Sequence, residues 1–237
     1  MSSPRPSCRS PHRPVWRLLS ALLLAVGLHV PAFAFEAGGP VWPDTSLARL
    51  QAYALVQTLN AELLSNPSAT LTLDRWCASH RLAPADSKIV AGRVRDADKP
   101  ADAAIREWLG AGPQEPVAYR RVRLACGGRV LSEADNWYRP ALLTPEMNRQ
   151  LETTDAAFGR VVRPLGFSRS TLSAKLLWQP LPDGWEMGAP IPAGTGGLDV
   201  PPFLLEHRAV LKRPDGQAFS VVVETYTREI LAFPSPP

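Results

Sequence analysis

The chain has 237 residues with a formal net charge of +4, and the excess is local: Arg5, Arg9, Arg13 and Arg17 lie in the first 34 residues with no acid among them. Without those four, the 26 Lys+Arg fall to 22 against 22 Asp+Glu. Residues 35–237 are then formally neutral, which argues against a nucleic-acid partner, since such proteins carry basic charge on the folded domain. Their length suits a single domain with a real core.

The first 34 residues read as an export address. A basic stretch precedes an apolar run from Leu18 to Leu28 and a small-residue site at Ala32-Phe33-Ala34. That order is a secretory signal peptide, expected to be cut after Ala34, with the mature protein exported to the periplasm. An uncleaved anchor is the alternative. No later apolar stretch is long enough to span a bilayer. Cys8 leaves with the leader, and Cys77 and Cys126 remain. In an oxidising compartment they are expected to pair, the alternative being two buried free thiols. His80 and His207 are isolated and no Cys/His cluster has zinc spacing, so no metal is expected.

The domain at 35–237 opens with a helix from Asp44 to about Leu64, ended by Asn66-Pro67. A short helix over Leu73–His80 turns Trp76 and Cys77 inward. Ser87–Arg95 reads as a strand, and Asp102–Leu109 as a helix closed by Gly110. Val117–Ala125 and Arg129–Tyr138 flank Gly127-Gly128 as a hairpin. Thr144-Pro145-Glu146 starts a helix with a cap, a first-turn proline and an acid. Phe158–Val162 is a further short helix, and Arg169–Trp178 a strand. The Pro- and Gly-rich stretch 180–202 reads as a long loop and a candidate lid. Phe203–Leu211 and Ala218–Thr227 form a second hairpin about Pro214-Asp215-Gly216. The expected fold class is α+β: a single antiparallel sheet with helices packed mainly on one face.

The chain lacks a P-loop, a dinucleotide fingerprint, a nucleophile elbow and an HExxH motif, so no cofactor is expected. Chemistry falls to charged residues on strands. Arg121 and Arg123 share a strand face with Tyr119, while Arg120 shares the other with Val122 and Leu124. A guanidinium fork matches a carboxylate. Glu206 interrupts the apolar run Phe203-Leu204-Leu205, where a carboxylate must be paired or hold its proton more tightly. The plain alternatives are solvated arginines and an acid on an edge strand. Glu224, in a valine-rich strand, reads as a structural partner for an arginine across the sheet.

Tyr119-Arg120-Arg121-Val122-Arg123-Leu124-Ala125-Cys126-Gly127-Gly128 resembles the hairpin of bacterial chorismate lyase. The same order of parts follows: a strand ending at Pro140, a helix, Phe158-Gly159-Arg160, a strand about Ser170-Thr171-Leu172, and Leu204-Leu205-Glu206. The resemblance spans roughly Val117–Val210. The UTRA ligand-sensing domains of bacterial regulators share that fold, and the hairpin after Glu206 looks more like theirs.

The resemblance implies a cofactor-free elimination that releases pyruvate from chorismate to give a hydroxybenzoate. It puts Arg121 on the ring carboxylate, Glu206 at the ring hydroxyl or the leaving ether, and Phe158 and Gly159 where a backbone amide meets the ligand. A further arginine of the lyase pocket is replaced here by Asn136, with Arg139, Arg160 or Arg163 as substitutes. The alternative is a non-catalytic periplasmic binding protein for a small aromatic or cyclic carboxylate. Oligomeric state is left open.

Overall fold

The computed structural model describes residues 41–237, so the leader read at residues 1–34 lies outside the described residues. Helix α1 (Ser46–Ser65) starts at Thr45, whose Oγ1 accepts the Ala48 N–H at 3.1 Å and satisfies one orphan donor of the first turn. It buries Ala48, Ala52, Val56, Leu59 and Leu63, a stripe at helical spacing. Helix α2 (Ala69–Ser79) begins four residues before the expected start, capped by Ser68. Its first two turns bury Thr70 and Thr72, and these polar residues hid the apolar period in the sequence. Trp76 and Cys77 point inward as expected.

Strand β1 (Val90–Val94) and helix α3 (Ala103–Leu109) follow. Asp102 Oδ1 caps α3 by accepting the Ile105 N–H at 2.8 Å, and Gly110 closes it at φ 62°, a conformation that needs glycine. Strands β2 (Ala118–Cys126) and β3 (Arg129–Tyr138) turn at Gly127 and Gly128, both with positive φ, as a two-residue hairpin requires. Helices α4 (Pro145–Thr153) and α5 (Phe158–Val161) lead to β4 (Ser168–Leu176). The second hairpin is β5 (Phe203–Lys212) and β6 (Ala218–Thr227).

The six strands among the described residues form one antiparallel sheet in the order β1-β2-β3-β6-β5-β4. The order is symmetric: two three-strand meanders meet back to back where β3 pairs with β6, from Ser132↔Tyr226 to Tyr138↔Ser220. Helices α1 and α2 pack with Val122, Leu124, Leu205 and Tyr226 in the main core, and α4 and α5 continue that side around Tyr138 and Phe158. Among the described residues helix α3 alone covers the opposite face, over Trp137, Val210 and Val221. The protein is thus α+β with helices mainly on one face. Among the described residues no helix is long and apolar enough to cross a membrane.

The stretch 180–202 is tied to the start of α1. Arg49 Nη1 donates to Pro180 O at 2.9 Å, Ser46 Oγ to Ile191 O at 3.2 Å, and Leu198 N to Trp42 O at 2.7 Å. None of its residues lines the two cavities described below. Trp42 Nε1 in turn donates to Phe233 O at 2.8 Å, fastening both ends of the domain together.

Cys77 at the end of α2 and Cys126 at the end of β2 form a disulfide that closes a loop of 49 residues in sequence. In the chain-entropy account a loop of that length stabilises by about 4 kcal/mol. Replacing both cysteines by alanine is expected to lower the unfolding free energy by about that amount in urea unfolding, with a steeper slope because the uncrosslinked unfolded chain exposes more surface.

Candidate functional site

Strand alternation divides the charged residues between two faces. Arg121 and Arg123 on β2 stand opposite Asp135 and Glu133 on β3, which stand opposite Val223 and Thr225 on β6; Glu206 on β5 pairs with Thr225 in turn. All of these share the face that carries α3. Val122, Asn136, Val222, Glu224 and His207 occupy the other face, beneath α1, α2 and α5.

The outer face holds an open depression of about 330 Å³ with Arg121, Glu206, Phe203 and Leu177 on its walls. Its charges are already matched. Arg121 Nη2 lies 2.9 Å from Glu133 Oε2, and Glu206 Oε1 lies 3.0 Å from Arg208 Nε. The side chain of Arg121 is 42% exposed. Pairs this accessible are screened and contribute about 0–1 kcal/mol. Arg121 and Glu206 therefore border one depression, but the shielded hollow shared with Phe158 and Gly159 that the sequence led us to expect is not there.

A smaller and less open cavity lies on the inner face. Phe158 and Gly159 of α5, Ser68 and Thr70 at the start of α2, and Asn136 of β3 line it, with apolar walls from Val122, Leu124 and Val222. Its charged groups are Arg169 of β4 and Glu224 of β6, which reach each other across β5 with Nη2 2.6 Å from Oε2. Their side chains are 5% and 9% exposed. Burial is the largest influence and works against the Arg169 charge, yet the Glu224 carboxylate and Tyr226 together outweigh it and hold the guanidinium above its ordinary value. Tyr226 OH donates to the same Oε2 at 3.3 Å. The buried Nε of Arg169 has no hydrogen-bond partner. A buried unpaired guanidinium N–H is costly, and a ligand oxygen would satisfy it.

His207 stands cross-strand from Glu224 and is fully buried. Its Nε2 is 2.8 Å from Asn60 Oδ1, and Asn60 Nδ2 donates to Gln57 Oε1 at 3.1 Å, which orients the amide. The proton therefore sits on Nε2, and Nδ1 is left without a partner. Burial pushes the imidazole down to about 4; Glu224 pulls it up and Arg169 pushes it further down. The ring is neutral at pH 7.

The remaining sequence candidates take other places. Asn136 lines the cavity, with Oδ1 accepting from Ser220 Oγ at 2.6 Å. Arg160 points away from the ligand space: its Nη2 bonds both Asp74 oxygens, at 2.8 and 2.6 Å. Arg139 pairs with Glu115. Arg120 is buried and donates to Ala156 O at 3.1 and 3.0 Å, holding the connection into α5. The arginine across the sheet from Glu224 is Arg169, which nothing in the sequence singles out. The usable signal was Glu224 itself, an acid directly after Val221-Val222-Val223, with strand alternation setting it beside Val222 and Tyr226 on the inner face.

The chain is thus an antiparallel α+β domain with a buried guanidinium–carboxylate pair in its inner cavity. It is 63% identical over 196 residues to the uncharacterized protein y4mC of Sinorhizobium fredii, covering 82% of this chain and 83% of that one, and it belongs to the family of that protein. No family model matches. Among solved structures it is similar to the effector domain of PhnF from Mycobacterium smegmatis (16% identity, TM-score 0.43, 69% of this chain and 90% of that one). It is also similar to the ligand-binding domain of a putative GntR-family transcriptional regulator from Bordetella bronchiseptica (20% identity, TM-score 0.35, 60% of this chain and 83% of that one).

Two outcomes follow from the inner pair and its neighbour. Glu224→Ala leaves the Arg169 charge buried without a partner and is expected to cost about 3–5 kcal/mol in urea unfolding. The double change Arg169→Met with Glu224→Leu is expected to cost much less, because neither charge then remains. For His207, the folded value near 4 lies below the ordinary 6.5. The unfolded chain therefore binds the extra proton first as pH drops. Stability from this residue is full above pH 6.5, falls by about 3 kcal/mol down to pH 4, and levels off below that. His207→Gln is expected to flatten the wild-type slope over that window in urea midpoints taken across pH.

Proposed function

We propose that this chain is a binding domain for a small cyclic or aromatic carboxylic acid, held in the inner cavity. The observation that carries the reading is Arg169: buried, on the cavity wall, charged at any working pH, and with Nε unpartnered. A carboxylate oxygen is the natural acceptor for that N–H. The hydrogen bonds to Glu224 among the described residues all reach Oε2, so Oε1 is available to a ring hydroxyl. Val122, Leu124, Phe158, Leu211 and Val222 give the wall an apolar part that suits a ring, with Ser68, Thr70 and Asn136 as further polar groups. Export, with residues 1–34 removed, belongs to the same proposal. Its supports are the order of basic, apolar and small residues in the leader and the Cys77–Cys126 disulfide, a bond typical of oxidising compartments.

A second reading, elimination of pyruvate from chorismate, has one specific support. A guanidinium and a carboxylate buried side by side in one cavity are the groups such a cofactor-free step needs: one to orient the anion, the other to handle a proton.

One set of measurements separates the readings. Melting of the full chain is followed with benzoate, 4-hydroxybenzoate and chorismate, each up to about 10 mM, where a millimolar binder stabilises by about 1.4 kcal/mol. 4-Hydroxybenzoate is expected to raise the Tm by a few degrees, more than benzoate does, and Arg169→Met is expected to remove the shift. Absence of a shift with all three ligands ends the binding reading. A response lost in Arg121→Ala or Glu206→Gln but kept in Arg169→Met moves the site to the outer depression. Growth of aromatic absorbance from chorismate, abolished in Glu224→Gln while 4-hydroxybenzoate still binds, establishes the elimination.

A further inference from the structure

The inner cavity is smaller than what it is proposed to hold. Its volume of about 40 Å³ takes roughly three waters, whereas ligand pockets run from about 300 Å³ upward. One wall has to move. The sheet wall cannot, because β3 and β6 carry ladders on both sides. Helix α2 has 11 residues, a side-chain cap and the disulfide at its far end. Helix α5 has four residues and no side-chain cap.

Helix α5 closes on α2 tightly. A Cβ added to Gly159 would stand 2.9 Å from Ser68 Oγ, so the seam between the two helices leaves no room for a larger residue. The closed seam is held from outside the cavity by Arg160. Its Nη2 donates to Asp74 Oδ1 and Oδ2 of α2, and its Nη1 donates to Ile89 O at 2.5 Å. The Ile89 N–H donates back to Asp74 Oδ1 at 2.7 Å. Three segments thus meet in one ring of charge-assisted hydrogen bonds. Unlike Arg169 and Glu224, this pair is within reach of water, with side chains 33% and 13% exposed.

We propose that α5 is a lid over the cavity and that Arg160, Asp74 and the Ile89 backbone are its latch. Opening breaks the ring and lifts Phe158 from Tyr138 and Phe219, whose ring centroids lie 5.5 and 6.3 Å away. The closed state therefore dominates, and a ligand gains entry through a minor open population that it then stabilises. Arg160 acts as a positioning residue and touches no ligand. The inference rests on the inner cavity being the ligand site, and the test uses no ligand, so the two readings fail separately.

Val122→Cys puts a thiol on the cavity wall, and Val56→Cys puts one in the core beneath α1. Modification by methyl methanethiosulfonate in the full chain is followed by peptide mass spectrometry at each substituted position. Arg160→Gln is expected to speed labelling at position 122 by about tenfold. Labelling at position 56 is expected to stay within about twofold. Asp74→Asn, which keeps an acceptor for the Ile89 N–H but loses the charge, is expected to fall between wild type and Arg160→Gln, and it carries the comparison if Arg160→Gln does not fold. Equal acceleration at both positions means the whole domain has loosened. No acceleration at position 122 means the seam is not held by this ring. Either result overturns the latch.

Discussion

A buried charge pair organises this domain. Arg169 and Glu224 belong to β4 and β6, and they meet only because β5 lies between those strands at the register the second hairpin sets. The pair has its own surroundings: Tyr226 on the shared carboxylate oxygen, and His207 kept neutral by burial and hydrogen-bonded to Asn60 of α1. A protonated His207 would add a second positive charge beside Arg169 with one carboxylate between them. The neutral ring keeps the local balance at one charge of each sign, the arrangement a buried site tolerates best.

Room and shielding point in opposite directions on the two faces. The outer depression is roughly eight times the volume of the inner cavity, from 330 and 40 Å³. Volume alone would favour it. Charge strength depends on the medium, however, and a guanidinium in contact with water and already paired to Glu133 has little left to offer an incoming carboxylate. The inner guanidinium sits where a hydrogen bond is strong and an unmade one is costly. The shielded site is the better candidate, and its small volume becomes a statement about motion.

Local structure was largely legible in the sequence, because short-range chemistry fixes it. Thr144 caps the helix read to start there, Thr45 and Asp102 cap the helices read at Asp44 and Asp102, and Gly110, Gly127 and Gly128 take left-handed conformations where turns were read. The pairing of Arg121 and Arg123 on one face with Tyr119 also followed from alternation. Which face meets the helices did not follow, because that depends on how distant strands are assembled. Glu206 illustrates the cost. A register irregularity between Phe203 and Leu205 lets both Leu204 and Leu205 bury, and the acid after them turns to the outer face. A strict two-residue period cannot anticipate an extra residue. Arg169 was invisible for the opposite reason: β4 is mostly exposed, and a lone arginine on such a strand looks solvated until β6 brings Glu224 beneath it.

The same pair bears on why function, and not stability, is the better account of the inner site. Taking a guanidinium and a carboxylate out of water costs several kcal/mol each, and well-packed apolar side chains of similar volume commonly serve a fold as well or better. Arg120, which bonds the Thr154 and Ala156 carbonyls through Nη1 and Nη2, also keeps a buried Nε without a partner, so an orphan Nε by itself does not mark a ligand site. Arg169 differs in lining the cavity and in holding a buried carboxylate there: its Nη2 is engaged by Glu224, while its buried Nε has no partner. Gly159 pressed against Ser68 then supplies the closing wall, and the Arg160–Asp74 ring outside it supplies the restraint. An incompletely bonded buried cation, an apolar surround and a restrained wall together describe a place that something else completes.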